Sequence, residues 1–116
     1  MSEKILDEDD FMERVQGDTD LFFELLDIFI NDFYPKRQSL KEAIANKDCL
    51  TVEHVSHFLK GSCGNISAGP LRAIFHELEV KGKNNDLQGI EGYLSEIDQK
   101  FEELMARIGE LRTKLR

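Results

Sequence analysis

The last quarter of the chain carries a heptad repeat of apolar residues, which restricts the possible folds more than any other feature. Spacings of four and three residues alternate through Ile90, Leu94, Ile97, Phe101, Leu104, Ile108, Leu111 and Leu115. This spacing places one apolar stripe along an α-helix, which Asn85 or Asp86 is expected to cap. Because such a stripe must be buried against other helices, the segment predicts a helical bundle or a coiled coil.

Capping and stop signals divide the rest of the chain into four more predicted helices. These run from Asp7 to Gln16, from about Asp18 to Asn46, from Asp48 to Ile66 and from Pro70 to about Gly82. Asp18 or Thr19 is expected to cap the second helix, and Asp48 the third. Pro35 lies inside the second helix and is expected to kink or split it.

Weak strand signals and short turns between amphipathic helices predict an all-α fold with antiparallel neighbours. We expect an antiparallel four-helix bundle with a short additional N-terminal helix, in which residues 1–116 form one domain. A two-chain coiled coil through the heptad is the alternative. The other helices need that stripe to cover their own apolar faces, so the expected state is a monomer.

Charge and cysteine content argue against several classes of protein. The formal net charge of −8 disfavours binding to nucleic acid or to an anionic membrane. No apolar run approaches the roughly 18 residues of a membrane span, and the acidic N-terminus does not resemble a signal peptide. Two cysteines, Cys49 and Cys63, make no disulfide framework, so a cytoplasmic protein with reduced thiols is expected.

The third predicted helix presents His57 on its polar side. At about 100° per residue, Val55, Leu59 and Ile66 lie roughly 160–200° away from His57 on the helical wheel. Residues within about 60° of His57 are Glu53, Lys60, Gly61 and Gly64. The segment from Lys60 to Lys83 also has four basic and two acidic residues, which suggests a bound anion or acidic partner, or ordinary scatter of surface charge.

Two glycines and a lysine follow His57 on that polar side. Gly61 and Gly64 each cost a helix interior about 1 kcal/mol relative to alanine, but they let another molecule approach the backbone closely. Close packing between helices is the alternative explanation. Lys60 places a cation beside the imidazole and favours its neutral, nucleophilic form. These features suit phosphoryl transfer to nitrogen, although an isolated HxxKG pattern also occurs by chance.

The segment SHFLKGSCGNISAGPLRAIFHELE resembles the histidine-containing phosphotransfer (HPt) domain family. The family motif is approximately A-H-x-L-K-G-S, a turn of small residues, and then L-x-x-L-x-x-x-L-E. The matching positions are His57, Leu59, Lys60, Gly61, Ser62, Leu71, Leu78 and Glu79, whereas Ser56 replaces the usual alanine. The resemblance continues into the second and last predicted helices and so covers nearly the whole chain.

This resemblance implies a phosphoryl carrier rather than an enzyme. His57 would accept a phosphoryl group on Nε2 from the phospho-aspartate of a receiver domain, in a response regulator or hybrid histidine kinase, and pass it to another receiver. Lys60 would neutralise phosphate charge, and Gly61 would give the receiver room. The receiver would supply magnesium, so no cofactor or metal is expected in this chain.

Glu79 matches a position from which some family members hydrogen-bond the other imidazole nitrogen. A carboxylate there would hold the Nδ1–H tautomer and leave Nε2 as the nucleophile. An ion pair with Lys83 is the alternative for Glu79, and Lys83 could instead contact phosphate.

Ser62 is expected to pack or to bond within its helix, and Phe58 to be partly buried. The docking surface is expected on the third helix and the edge of the second.

The other two histidines are expected to be bystanders. His54 is exposed on the wheel but is not followed by a Lys-Gly pair at the right spacing, and His76 lies off the apolar stripe of its helix. His54 and His57 have a spacing that allows a shared metal. Glu53 is the only nearby carboxylate, however, and no HExxH pattern is present, so no metal site is predicted.

Two other functions stay open from the sequence. A helical interaction module would dock to a partner without accepting phosphate on its histidine. A phosphotransfer segment of a chemotaxis-type histidine kinase would receive phosphate from a kinase domain, although nothing in the chain resembles an ATP-binding domain. Met1 and the complete set of helices favour a small complete protein over an excised domain.

Overall fold

Five α-helices make up most of residues 4–115, the part of the chain that the computed structural model describes. They are α1 (Glu8–Arg14), α2 (Thr19–Ala45), α3 (Cys49–Asn65), α4 (Gly69–Lys83) and α5 (Glu91–Leu115). The described residues include no strand, and none of their helices has the length and hydrophobicity to cross a membrane. The prediction of an all-α bundle, with α1 as the short additional helix, is confirmed.

The predicted start signals are found at the N-termini of α2, α3 and α4. Asp18 accepts the N–H of Leu21 at 3.0 Å, and Asp48 accepts the N–H of Thr51 at 3.1 Å. Pro70 lies in the first turn of α4, where its missing N–H costs nothing. Since the first N–H groups of a helix have no partner inside it, these local contacts determine which residues each helix contains.

Pro35 does not split α2, contrary to one of the two expectations. The helix continues through it from Thr19 to Ala45. Phe33 and Leu40, on either side of the proline, are both buried in the same core. Their packing holds the two halves of α2 together despite the backbone hydrogen bond that proline removes.

The last helix begins at Glu91, later than the predicted cap. Asp86 accepts the N–H of Gln88 at 3.2 Å and so stabilises a turn. Gly89 has a φ of +73°, a conformation that glycine adopts readily and that interrupts a right-handed helix. The expected cap at Asn85 or Asp86 is therefore wrong.

Most of the heptad stripe, which begins at Ile90 just before α5 and continues along that helix, is covered by helices of the same chain. Its buried members are Ile90, Ile97, Phe101, Leu104, Ile108 and Leu111. Phe101 stacks on Phe33 of α2, with ring centroids 3.8 Å apart. Arg37 and Asp98 form a two-bonded ion pair nearby, with both N···O distances at 2.6 Å. Intrachain burial of the stripe argues against the coiled-coil alternative.

Helices α3 and α4 make the most extensive contact in the bundle, and they approach closely at Gly82. A Cβ atom at this position would lie 2.7 Å from the backbone nitrogen of Glu53 and 2.8 Å from the carbonyl oxygen of Cys49. From its position in the sequence, Gly82 is expected only to mark the end of a helix. Its lack of a side chain instead lets α4 bring Glu79, one turn earlier, up to α3.

The hydroxyl of Ser56 is buried without a hydrogen-bond partner within residues 4–115. An unsatisfied buried polar group costs about 1–3 kcal/mol. Ser56→Ala is therefore expected to raise the free energy of unfolding by about 1 kcal/mol in urea denaturation. Ser39→Ala, at an exposed position of α2, controls for the higher helix propensity of alanine. A smaller gain at Ser56 than at Ser39 would contradict this interpretation.

Candidate functional site

The imidazole of His57 lies on the solvent side of α3, as the helical wheel predicted. Its side chain is 70% exposed. The opposite side of α3 is buried through Val52, Val55, Leu59 and Cys63. A nucleophilic nitrogen at His57 is therefore within reach of a second molecule.

Glu79 of α4 joins His57 and Lys60 of α3. One carboxylate oxygen lies 2.6 Å from Nδ1 of His57, and the other lies 2.5 Å from Nζ of Lys60. The Glu79 and Lys60 side chains are only 17% and 19% exposed. Lys83, the alternative partner of Glu79, is exposed and forms no ion pair with any described residue.

The charge on Glu79 determines which nitrogen of His57 carries the proton. The hydrogen bond from Lys60 lowers the pKa of Glu79; burial opposes this effect, and the hydrogen bond from His57 adds to it. The carboxylate is therefore ionised at neutral pH and can only accept hydrogen bonds. In the neutral ring, Nδ1 must donate to it, which leaves the lone pair on Nε2.

The contact between Lys60 and Glu79 is the part of the site that the sequence analysis missed. Lys60 was expected beside the imidazole as a cation for phosphate, and here its ammonium group is bound to a carboxylate. The one local signal for this contact is the i, i+3 spacing of His57 and Lys60, which allows a single carboxylate to bind both side chains. The contact itself depends on how α3 and α4 pack, which no local pattern encodes.

The two glycines after His57 have different surroundings. A Cβ atom at Gly61 would meet nothing within 4 Å, so the helix surface is open one turn from the imidazole. At Gly64 a Cβ atom would lie 3.4 Å from the Nε atom of Arg72, in a flexible side chain. Neither glycine brings two helix backbones together, and the packing explanation is wrong for both.

A shallow groove of about 280 Å³ lies between α2 and α3, near His57. Its lining residues are Leu25, Ile28, Phe29, Asp32, Phe58, Ser62, Asn65 and Ile66. Ile28 is 50% exposed and Phe58 is 41% exposed, with the Lys36 ammonium 4.5 Å from the centre of the Phe58 ring. The Ser62 hydroxyl donates to the Phe58 carbonyl at 3.1 Å, within its own helix. This groove is the exposed apolar surface adjoining the site.

The other histidines lie apart from these contacts. His54 and His76 are both exposed, and neither imidazole forms a hydrogen bond within the described part of the chain. The residues described also contain no cluster of three His, Cys, Asp or Glu side chains that could hold a metal ion.

Comparison with known proteins places this geometry in a family. A sequence model of the Hpt domain matches residues 24–113, from the first half of α2 almost to the end of α5. The chain belongs to the Hpt domain family. The Hpt match includes His57, Lys60, Gly61 and Glu79, the four residues singled out from the sequence.

Two relatives resemble this Hpt chain over almost its whole length. The crystal structure of histidine-containing phosphotransfer protein B (HptB) from Pseudomonas aeruginosa PAO1 is 25% identical, with a TM-score of 0.86, and the match covers 99% of this chain and 100% of that one. Phosphorelay intermediate protein rdeA of Dictyostelium discoideum is 26% identical over 109 residues. That match covers 94% of this chain but 43% of the relative, so this chain spans less than half of its length.

In this Hpt site, His57 is expected to adopt mainly the Nδ1–H tautomer. Two-dimensional ¹H–¹⁵N NMR at pH 8, where histidine side chains are largely neutral, reports the tautomer of each ring. His54 and His76 serve as internal references without a hydrogen bond. Glu79→Ala should make the His57 pattern resemble theirs, and an unchanged tautomer ratio in that variant would contradict the assignment.

Proposed function

We propose that this chain is a phosphorelay intermediate that accepts a phosphoryl group on Nε2 of His57 from a receiver-domain phospho-aspartate and passes it to another receiver. The observation that carries the proposal is an exposed imidazole whose Nδ1 faces an ionised carboxylate at 2.6 Å. Membership of the Hpt family and the two relatives named for phosphotransfer and phosphorelay support it.

The transfer uses the lone pair of Nε2 as the nucleophile. As the P–N bond forms, the P–O bond to the aspartate breaks and its electron pair leaves with the carboxylate oxygen. The imidazole ring becomes positively charged, and Glu79 stabilises this charge through the Nδ1–H hydrogen bond. Donation to the next receiver is the same step in reverse, with an aspartate oxygen attacking phosphorus and Nε2 leaving.

Lys60 has two roles in this proposal. Its ion pair holds Glu79 in the position that orients His57, and by offsetting the charge of Glu79 it limits the repulsion between that carboxylate and the arriving phosphoryl group. The receiver supplies the magnesium ion and the acidic pocket. The chain therefore carries phosphate without catalysing turnover alone, and it needs no cofactor of its own.

The receiver is proposed to dock over Gly61 and the groove between α2 and α3. Ile28 and Phe58 supply exposed apolar contact area, and the groove also contains Asp32 and Asn65. An interface of this kind suits a transient complex at the low end of the size range. Receiver domains of response regulators or hybrid histidine kinases are the partners that this surface would serve.

The proposal includes a single domain over residues 1–116 that acts as a monomer in the cytoplasm. The buried residues of α1 to α5 form one core, and α5 uses its apolar stripe within the chain.

Cys63 is buried, and burial raises the pKa of its thiol to about 12. Cys49 lies 14 residues earlier in the same helix, about 20 Å away, so the two cannot form an intramolecular disulfide.

Gly61→Gln is expected to slow phosphotransfer at least about tenfold, because the new side chain blocks close approach beside the imidazole. Stability should rise by about 0.5–1 kcal/mol, since the position is open and glutamine favours helix. Gly109→Gln in α5 is the control, because a Cβ atom there also meets nothing within 4 Å. Equal transfer rates in the two variants would contradict a role for Gly61 in access.

The function is tested by single-turnover transfer from a ³²P-labelled receiver, followed by a chase with unlabelled receiver. The label is expected to move onto this chain and then onto the second receiver. Binding without any label on the chain would identify an interaction module. Label that comes only from a kinase domain with ATP, and never from a receiver, would identify the chemotaxis-kinase alternative.

A further inference from the structure

A depression of about 370 Å³ lies beside the imidazole and is lined by Glu53, His54, His57 and Glu79. Side chains on a helix lean towards its N-terminus and cover the preceding turn. The ring of His57 therefore extends over the turn that contains Glu53 and His54. A phosphoryl group on Nε2 would border this depression.

Glu53 brings a negative charge to this depression that no described residue balances. The charge of Glu79 is matched by Lys60 at 2.5 Å, whereas Glu53 forms no ion pair within residues 4–115. Glu53 is four residues before His57 in α3, which places the two Cβ atoms about 5–6 Å apart. The contact between its backbone and the Gly82 region of α4 fixes this turn of the helix in place.

We propose that Glu53 repels the phosphoryl group on His57 and thereby shifts the phosphotransfer equilibrium towards the receiver. This inference rests on the proposed function and adds a residue that sets the direction of transfer. Glu53 takes no part in the exchange of the P–O and P–N bonds; it raises only the free energy of the phosphohistidine. For two charges about 6 Å apart in water, Coulomb's law gives a change of about threefold to tenfold in the equilibrium at low salt.

The first test compares Glu53→Gln with Glu102→Gln, a matched loss of one exposed carboxylate on α5. The measured quantity is the ratio of phosphorylated chain to phosphorylated receiver at equilibrium. Glu53→Gln is expected to raise this ratio threefold to tenfold over wild type, Glu102→Gln less than twofold, and 0.5 M salt should reduce the difference. Equal ratios in the two variants would overturn the proposal.

The second test needs no receiver, because phosphoramidate phosphorylates histidine directly. A ³¹P NMR titration of the phosphorylated protein measures the pKa of the phosphoryl group. A nearby carboxylate raises this pKa, because it disfavours the more negative form. Glu53→Gln is expected to lower this pKa by about half a pH unit, a threefold change in the proton affinity, while Glu102→Gln leaves it unchanged. An identical titration in both variants would overturn the proposal. If Glu53→Gln lowers this pKa as expected but no phosphoryl group moves to or from a receiver, the result would refute the proposed function alone.

Discussion

Gly82→Ala is expected to lower the free energy of unfolding by about 2–3 kcal/mol. The added methyl group would lie 2.7 Å from the Glu53 nitrogen and 2.8 Å from the Cys49 oxygen. Both are backbone atoms, so no side-chain rotation relieves the contact, and α3 and α4 must separate. This strain exceeds the roughly 1 kcal/mol that alanine gains over glycine in a helix. Urea denaturation measures the difference.

The control for this prediction is Gly109→Ala, a helical glycine with open space around its Cβ position. It should gain up to about 1 kcal/mol. Separation of the helices in Gly82→Ala would also move Glu79 away from His57, so the share of the Nδ1–H tautomer of His57 should fall. A Gly82 variant as stable as the Gly109 variant would show that the close approach of α3 and α4 is not required.

The helices could be predicted largely from the sequence because their determinants are local. Asp18 and Asp48 cap helices through contacts three residues away, and the heptad of α5 is a property of one segment. Pro35 shows the limit of this reasoning, since tertiary packing of α2 overrides a local helix breaker. The predicted start of α5 is also too early in the sequence, because Gly89 takes a conformation that the sequence pattern does not specify.

The candidate site likewise has features that are determined locally and features that depend on tertiary packing. The exposure of His57 follows from the angles between residues on one helix, so it can be predicted from the sequence. The bridge from Glu79 to both His57 and Lys60 depends on the packing of two helices through Gly82. The resemblance to the HPt family suggested Glu79, whereas the residues alone left its pairing with Lys83 equally open.

His57→Gln is expected to abolish phosphorylation of the chain by a phosphorylated receiver. Glutamine is similar in size and uncharged, so the fold should be retained at this exposed position, but its amide nitrogen has no nucleophilic lone pair. His54→Gln removes an exposed imidazole from the previous turn of the same helix. This variant is the matched control and should keep the label.

The most direct test of the account is the chemical stability and position of the label in wild type, His57→Gln and His54→Gln. The account predicts an acid-labile, base-stable label, as for a phosphohistidine, in wild type and His54→Gln and none in His57→Gln. A label that persists in His57→Gln would contradict the central claim that this imidazole is the phosphoryl acceptor.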